Sequence, residues 1–220
     1  MQEIHLFGLI KIGGKEHMRQ LYEEGVIYMR HLSTFSDIED NFRGDVYEKL
    51  SAIIEVDGFR IYETNDEGKE IEIFYEKNGK AYFSQYYPDK LAGNIYSIVG
   101  LFSRAEKPEA RVVDKRCQQF GDTCVIILNP LEFLSRVEKE ALAQNIDLSW
   151  GVTEYYNIKE YNGAWSPFKK PSHLSYQQEF RLLVKRKETD PVILRIGSIE
   201  DISKMMDSSD LDEINIVEIN

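Results

Sequence analysis

The alternation of apolar and polar positions near the start of the chain predicts a strand, a helix and a second strand. An apolar run over residues 4–10 is typical of a buried strand. The next segment places three apolar side chains on one helical face, those of Met18, Leu21 and Tyr22. Gly25 is predicted to end this helix, and residues 26–30 form the second strand.

Two glycine-containing dipeptides predict turns in the next part of the chain. Asp57-Gly58 and Asn78-Gly79 both favour the positive φ angles of tight hairpin turns. The segments that they would connect are 52–56 with 59–63 and 71–76 with 80–83. We therefore expect two short hairpins here.

The second half alternates further strands with one clear helix. Predicted strands cover 94–102, 123–128, 152–156, 192–196 and 214–219. Asn129-Pro130 supplies a helix N-cap and a proline at the first helical position. The helix carries apolar residues at helical spacing, namely Phe133, Leu134, Val137, Ala141 and Leu142. A short helix is expected at Ser198. The order predicts an α+β fold of mostly antiparallel twisted sheets with three or four helices, as a single domain over residues 1–220.

Composition narrows the classes of partner. With 38 acidic and 27 basic residues the net charge is −11, which disfavours binding to duplex nucleic acid. No apolar run is long enough to cross a bilayer, and the N-terminus lacks a signal-peptide pattern. Cys117 and Cys124 are expected to be ordinary thiols, so we expect a cytoplasmic protein without a membrane.

Gln177 and Glu179 form the candidate active site. They lie two residues apart in a predicted strand, so their side chains would project from the same face. The apolar residues 182–184 would hold them on a rigid, buried element. Two interpretations stay open, an active-site carboxylate positioned beside an amide, or a structural ion pair between Glu179 and Arg181.

Motifs at both ends of the chain resemble the ADP-ribosyltransferase superfamily. They are His5 in the first strand, the helix that ends at Gly25, the Ser33-Thr34 turn, and Gln177-x-Glu179 at the start of a late strand. The last motif is also similar to a Gln-x-Glu-aromatic-Arg strand of uncharacterised bacterial proteins. The resemblance implies an NAD-dependent transferase that modifies an unknown protein or small-molecule acceptor, in a bacterial defence, toxin or phage setting.

The resemblance also implies roles for individual residues. Glu179 would stabilise the oxocarbenium-like cation formed when nicotinamide leaves the ribose, and Gln177 would orient the acceptor. The residues implied as NAD contacts are His5, Tyr28, Ser33 and Thr34. Arg43, beside a glycine, is a further candidate because a guanidinium suits phosphate oxygens.

Two alternatives accompany the transferase. The first is a non-enzymatic binding or regulatory protein with a degenerate transferase-like fold, since a fold does not itself confer activity. The second is a metal-dependent nuclease built on Asp40, Asp45 and Glu48 in the acidic segment 37–48. That segment could equally be a solvated loop or a partner site, and the four scattered histidines predict no metal site.

Overall fold

The computed structural model describes residues 5–36, 47–64, 68–86, 93–102 and 113–214. Within these ranges the strands are β1 Leu6–Gly13, β2 Val26–His31, β3 Leu50–Thr64, β4 Glu70–Tyr86, β5 Asn94–Phe102, β6 Thr123–Ile127, β7 Leu148–Val152, β8 Glu154–Tyr156, β9 Gly163–Ala164, β10 Lys169–Pro171, β11 Glu179–Val184, β12 Val192–Arg195 and β13 Ser203–Asp207. The α-helical segments are α1 Lys15–Glu24, the single turn α2 Ser33–Ser36, and α3 Pro130–Ala143. Short 3-10 helices cover Lys115–Phe120, Ser172–Gln177, Glu200–Ile202 and Ser208–Glu213.

The fold is α+β with mostly antiparallel strands, as predicted. The described ranges hold more helical segments than the expected three or four, because several connections form short 3-10 helices of three to six residues. The predicted strand 214–219 falls almost wholly outside the described residues, and the strand Ser203–Asp207 was not predicted. No helix in the described ranges combines the length and the apolar character needed to span a membrane.

Both helices with clear end signals form as predicted. Gly25 ends α1 in the left-handed region, with φ 63°, and its N–H donates to carbonyl oxygens of the last turn. The side chain of Asn129 accepts a hydrogen bond from the N–H of Glu132, which satisfies one of the unpaired donors at the start of α3. Leu142 breaks the predicted pattern, since it is 76% exposed.

Strand β5 lies at the centre of an eight-stranded sheet. It pairs with β11 along one edge, and its other edge is shared by β2, near Ile95, and β1, near Val99. Strands β1 and β2 diverge from each other between Ile95 and Val99 of β5. There the Nζ of Lys11 donates to the carbonyl oxygen of Ser97, 2.6 Å away, so an ammonium group takes the place of a strand at the divergence.

Each face of this sheet has its own core. Helices α1 and α3 cover one face, where the largest cluster of buried apolar side chains includes Met18, Phe133 and Leu182. The 3-10 helices Lys115–Phe120 and Ser208–Glu213 flank the other face. Both thiols, Cys117 and Cys124, are buried in that second core and form no disulfide.

Strands β3 and β4 form one long two-stranded ribbon, so the prediction of two hairpins was wrong. Asp57 pairs with Lys80 and Phe59 with Glu76, which places the two predicted turns opposite each other in the middle of the ribbon. Gly58 does adopt a positive φ, 67°, but at an irregularity of the ladder rather than at a turn. Pairing along the whole length of both strands outweighs the local turn preference.

Smaller corrections concern the segment before β11. The predicted strand 152–156 is the end of β7 followed by β8, with Thr153 between them. The segment 162–172 contains β9 and β10, for which the sequence predicts no strand, and β10 runs parallel to β8. The expected helix at Ser198 is the 3-10 turn Glu200–Ile202.

Candidate functional site

Gln177 and Glu179 do not share a strand, which corrects the prediction. Gln177 is the last residue of a 3-10 helix, and Gln178 takes a left-handed conformation, with φ 44°, before β11 begins at Glu179. The two side chains nevertheless converge on one ammonium group. The Nζ of Lys170 donates to Gln177 Oε1 at 2.7 Å and to Glu179 Oε1 at 2.9 Å.

The carboxylate of Glu179 has a cationic partner at each oxygen. The Nζ of Lys170 donates to Oε1, and the Nε of Arg181 donates to Oε2 at 2.6 Å. The residue is 8% exposed, and its backbone N–H donates to the Tyr155 hydroxyl oxygen at 2.9 Å. The predicted same-face ion pair with Arg181 is therefore present, and a second cation completes it.

Glu48 brings a second carboxylate to the same place. It accepts from Arg181 Nη1 at 2.9 Å and from Nη2 at 2.6 Å, and Lys170 Nζ lies 3.5 Å from its Oε1. Arg181 also donates to the carbonyl oxygen of Pro167. We call Glu48, Lys170, Gln177, Glu179 and Arg181 the ionic cluster. Its two carboxylates and two cations balance, which is what makes burial of four charges tolerable.

Four separate segments position the ionic cluster. Glu48 lies in the turn that leads into β3, and Lys170 lies on β10 opposite Tyr155 of β8. Glu179 and Arg181 are alternate residues of β11, so they project from the same face of the sheet. The ionic cluster thus ties the base of the ribbon to the centre of the main sheet.

Glu179 and Arg181 are both charged near neutral pH. Burial by itself raises the pKa of the Glu179 carboxyl, but Arg181 and Lys170 outweigh this effect and hold that pKa well below its usual range. Burial opposes the charge of Arg181, yet Glu179 and Glu48 raise its pKa. A general acid or base works best with a pKa near the working pH, and Glu179 is far from that condition.

Three neighbouring groups also have shifted pKa values. Burial raises the pKa of the Tyr155 hydroxyl and raises that of the Cys117 thiol to about 12, so both stay protonated. Burial lowers the pKa of Lys11 to about 8, against the attraction of Glu179. Among these groups Lys11 titrates closest to neutral pH, although it contacts Tyr96 and Ser97 rather than the ionic cluster.

The residues predicted to contact NAD are spread along the sheet. His5 precedes β1 and is exposed, although it was expected within the strand. The neighbouring Leu6 pairs with Phe102, three residues along β5 from Val99, the partner of Glu179. At the rise of a strand this is a separation of about 10 Å.

The other predicted contacts lie towards the opposite end of β5. Tyr28 is 46% exposed on β2. Ser33 and Thr34 follow His31, and Thr34 donates to the His31 carbonyl oxygen at 2.7 Å. His31 pairs with Asn94, five residues from Val99, or about 17 Å along the strand. Arg43 lies outside the described residues.

The acidic segment contributes a structural carboxylate rather than a demonstrated metal ligand. Of the three nuclease candidates, Glu48 is bound by Arg181, whereas Asp40 and Asp45 lie outside the described residues. Across the described ranges, no group of three or more His, Cys, Asp or Glu side chains could hold a metal ion.

Exposed apolar side chains distinguish the ribbon from the rest of the surface. Those that are at least 37% exposed are Ile54, Ile61, Tyr62, Ile71, Ile73, Phe74, Tyr75, Tyr82, Phe83 and Tyr86. The strand register places these side chains on both faces of the ribbon, and clusters of exposed apolar side chains mark surfaces for interaction. Sequence reasoning missed this surface because two short hairpins would not form one elongated surface.

No family model matches the chain, and searches of curated proteins and of solved structures find no significant match.

Proposed function

We propose that this protein acts by binding a partner, with the ionic cluster as its scaffold and the ribbon as its binding surface. The observation that carries the proposal is that both oxygens of the Glu179 carboxylate are paired, with Lys170 and Arg181, in the interior. A carboxylate held in this way stabilises the protein around it, and a substrate would have to share its oxygens with these two cations.

Using Glu179 for catalysis would require opening the ionic cluster. Separating a buried carboxylate from its cation leaves an uncompensated charge and costs about 3–5 kcal/mol. A substrate would have to supply that energy and also reach a residue that is 8% exposed. Binding at the ribbon requires no such rearrangement, because its side chains already face solvent.

The NAD-dependent ADP-ribosyltransferase is the second candidate. It is favoured by the convergence of Gln177 and Glu179, whose side-chain oxygens lie within hydrogen-bonding distance of the same Lys170 ammonium. In this reading NAD is the cofactor, the acceptor is unidentified, and binding of NAD displaces Lys170 from Glu179.

Titration with NAD and an assay for nicotinamide release separate the two candidates. We expect the wild-type protein neither to bind NAD in a calorimeter nor to release nicotinamide. Release by the wild type that is lost in a folded Glu179→Gln variant would overturn the binding proposal in favour of the transferase. Glu63→Gln, which removes an exposed carboxylate of the ribbon, is the control and should behave as the wild type in either case.

A further inference from the structure

We infer that the outer edge of β7 binds an extended, basic peptide segment of a partner protein, which joins the eight-stranded sheet as an additional strand. This edge lies beside the C-terminal end of α3 and is separate from the ribbon. The inference therefore goes beyond the proposed function, and neither one decides the outcome of the other.

The backbone of β7 presents hydrogen-bonding groups at an open edge of the sheet. The N–H of Thr153, the residue after β7, donates to the carbonyl oxygen of Glu179 across the pair with β11. Hydrogen-bonded pairs alternate in an antiparallel ladder, so every second residue before Thr153 also directs its backbone groups at β11. The N–H and C=O groups of Leu148, Trp150 and Val152 therefore point away from β11. No other described strand pairs with that edge.

Strand β7 lacks the features that usually protect an edge strand from pairing. Native edge strands commonly carry a charged side chain, a proline or a bulge. Among the described strands, the other two edges of this sheet follow the rule, since β12 carries Arg195 and β13 carries Lys204 and Asp207. The sequence of β7 is Leu-Ser-Trp-Gly-Val, and its pairing with β11 is regular. This edge is thus the one best suited to accept another strand.

Exposed apolar side chains lie along the same edge. Trp150 is 44% exposed and Val152 is 41% exposed. The ring of Trp150 lies 5.8 Å from that of Phe180, in the core that α3 covers, and its Nε1 donates to Glu138 Oε1 of α3 at 2.8 Å. Trp150 therefore joins α3 to the edge strand and keeps part of its surface open to a partner.

A cleft of about 460 Å³ lies at the start of β7, next to the C-terminal end of α3. The residues that line it are Glu138, Ala141, Leu142, Asn145, Ile146, Asp147 and Leu148. Leu142 is 76% exposed, the highest value among the large apolar side chains of the described residues. A side chain that an added strand directs at the α3 side of the sheet can enter this cleft and pack on Leu142 and Leu148.

The charges of the cleft favour a cationic side chain. Glu138 and Asp147 line it, and the described lining residues include no lysine or arginine. The C-terminal end of a helix is also the negative end of its dipole. A lysine or arginine fits both features, because its aliphatic stem packs on apolar walls while its charge reaches the carboxylates. The net charge of −11 attracts a basic segment and repels a second copy of this chain.

The geometry limits the length and the affinity of the partner segment. The five residues of β7 extend over about 17 Å, so a segment of five to seven residues would cover them. In strand addition the main-chain hydrogen bonds supply affinity and the side-chain pockets supply specificity. A contact of this size buries less than about 1,200 Å² and belongs to the weak, transient class of interfaces.

The experiment is a titration of the full-length protein with a synthetic peptide, followed by NMR of the protein amides. The probe is Lys-Thr-Val-Thr-Val-Thr-Lys with blocked ends, which places Lys and Val on one face and reads the same in both strand directions. We expect a Kd below about 1 mM that weakens as salt is added, with the largest shifts at Leu148, Trp150 and Val152. Glu-Thr-Val-Thr-Val-Thr-Glu should bind at least tenfold more weakly.

Val152→Pro tests the backbone of the edge. The N–H of Val152 points away from β11, so proline removes a donor that the sheet itself does not use, and binding should weaken at least tenfold. Ile193→Pro is the matched control. Ile193 is 42% exposed on β12, and its N–H also points away from its neighbour strand, because the next hydrogen-bonded pair is Ile196 with Gly25. This variant should bind the peptide as the wild type does, and circular dichroism checks that both variants are folded.

Asp147→Lys tests the charge of the cleft. It should weaken binding of the Lys-containing peptide at least tenfold, because a cation then occupies the entrance to the cleft. Glu63→Lys, on the ribbon, changes the net charge by the same amount and should bind nearly as the wild type does.

Four results would overturn the inference. They are equal binding of the Lys and Glu peptides, wild-type binding by Val152→Pro, shifts confined to the ribbon, and slow amide exchange of Trp150 and Val152 in the free protein. The last result would show that another segment of the same chain already covers the edge. The assay for nicotinamide release tests the proposed function separately and does not depend on this peptide.

Discussion

Arg181 and Glu48 are 133 residues apart in the chain and are joined by two buried hydrogen bonds of 2.9 and 2.6 Å. Two donors of one guanidinium meet both oxygens of one carboxylate, the strongest form of a charge-assisted pair. The bond fixes the turn before β3 onto β11, so the ribbon leaves the sheet from a rigid base. The same pair explains why a full charge is accepted at a position where Arg181 is 1% exposed.

Replacing Glu48 with Gln should destabilise the protein by about 3–5 kcal/mol, because the remaining cluster has two cations and one carboxylate in the interior. Urea unfolding measures this change. Glu63→Gln, on the exposed part of β3, should alter the unfolding free energy by less than about 0.5 kcal/mol.

A double variant tests the charge balance itself. Glu48→Gln combined with Arg181→Met leaves Lys170 with Glu179, one charge of each sign, and should recover part of the lost stability. If the double variant loses as much unfolding free energy as Glu48→Gln and Arg181→Met lose together, the charge balance of the ionic cluster is contradicted.

The stability of the protein should depend on pH through Lys11. Burial lowers its pKa from 10.5 to about 8, so the folded protein releases this proton between pH 8 and 10.5 while the unfolded chain still holds it. The unfolded state binds more protons in that window, and the contribution of Lys11 to stability therefore rises with pH. Below pH 8 both states are protonated and the cost of burying the charge is complete.

Lys11→Met removes that titration. The unfolding free energy of the variant minus that of the wild type should decrease by about 3 kcal/mol between pH 7 and pH 10.5. Urea unfolding at both pH values measures it. Lys204→Met, at an exposed position of β13, should give a difference that does not vary with pH, and a constant difference for Lys11→Met would disprove the prediction.

Gly25→Ala should cost more than about 2 kcal/mol, since Gly25 has a φ of 63° and the new Cβ would lie 2.0 Å from the carbonyl oxygen of Gly197. Gly14 is the matched control. It has a φ of −68° and open space at the Cβ position, so Gly14→Ala should cost no more than about 1 kcal/mol, through the weaker N-cap of α1. Thermal unfolding of the two variants should differ clearly, and equal midpoints would show that Gly25 is not required there.

Asn129→Ala should destabilise the protein by about 1 kcal/mol, because the N–H of Glu132 loses its acceptor at the start of α3. Ser135→Ala, at an exposed position inside the same helix, should be neutral or slightly stabilising. Chemical unfolding of both variants checks this order, which would be reversed if the cap were not formed.

Features encoded within a few residues could be predicted from the sequence. Gly25 and Asn129-Pro130 act on the helix turn beside them, so their effect can be predicted from the neighbouring residues alone. Asp57-Gly58 and Asn78-Gly79 carry equally local signals, yet a positive φ serves a ladder irregularity as well as a turn. Which of the two forms depends on pairing across the ribbon.

The candidate site was predictable only in part. Glu179 and Arg181 are neighbours on one strand, so their pairing follows from strand geometry. Glu48 and Lys170 come from distant segments, and nothing near them in the chain indicates that they meet. Gln177 was expected to reach the site by alternation along a strand but reaches it through the kink at Gln178.

Because β5 lies at the centre of the sheet, the central strands should open far less readily than the outer part of the ribbon. Amide protons of β11, and of β5 outside the gap around Ser97, are enclosed by neighbouring strands on both sides, so their exchange with solvent requires unfolding of the whole sheet. The outer part of β3 and β4 has one strand neighbour at each residue, and its amides exchange through local fraying. A protease acting on the native protein would accordingly cut the ribbon first and leave the eight-stranded sheet intact.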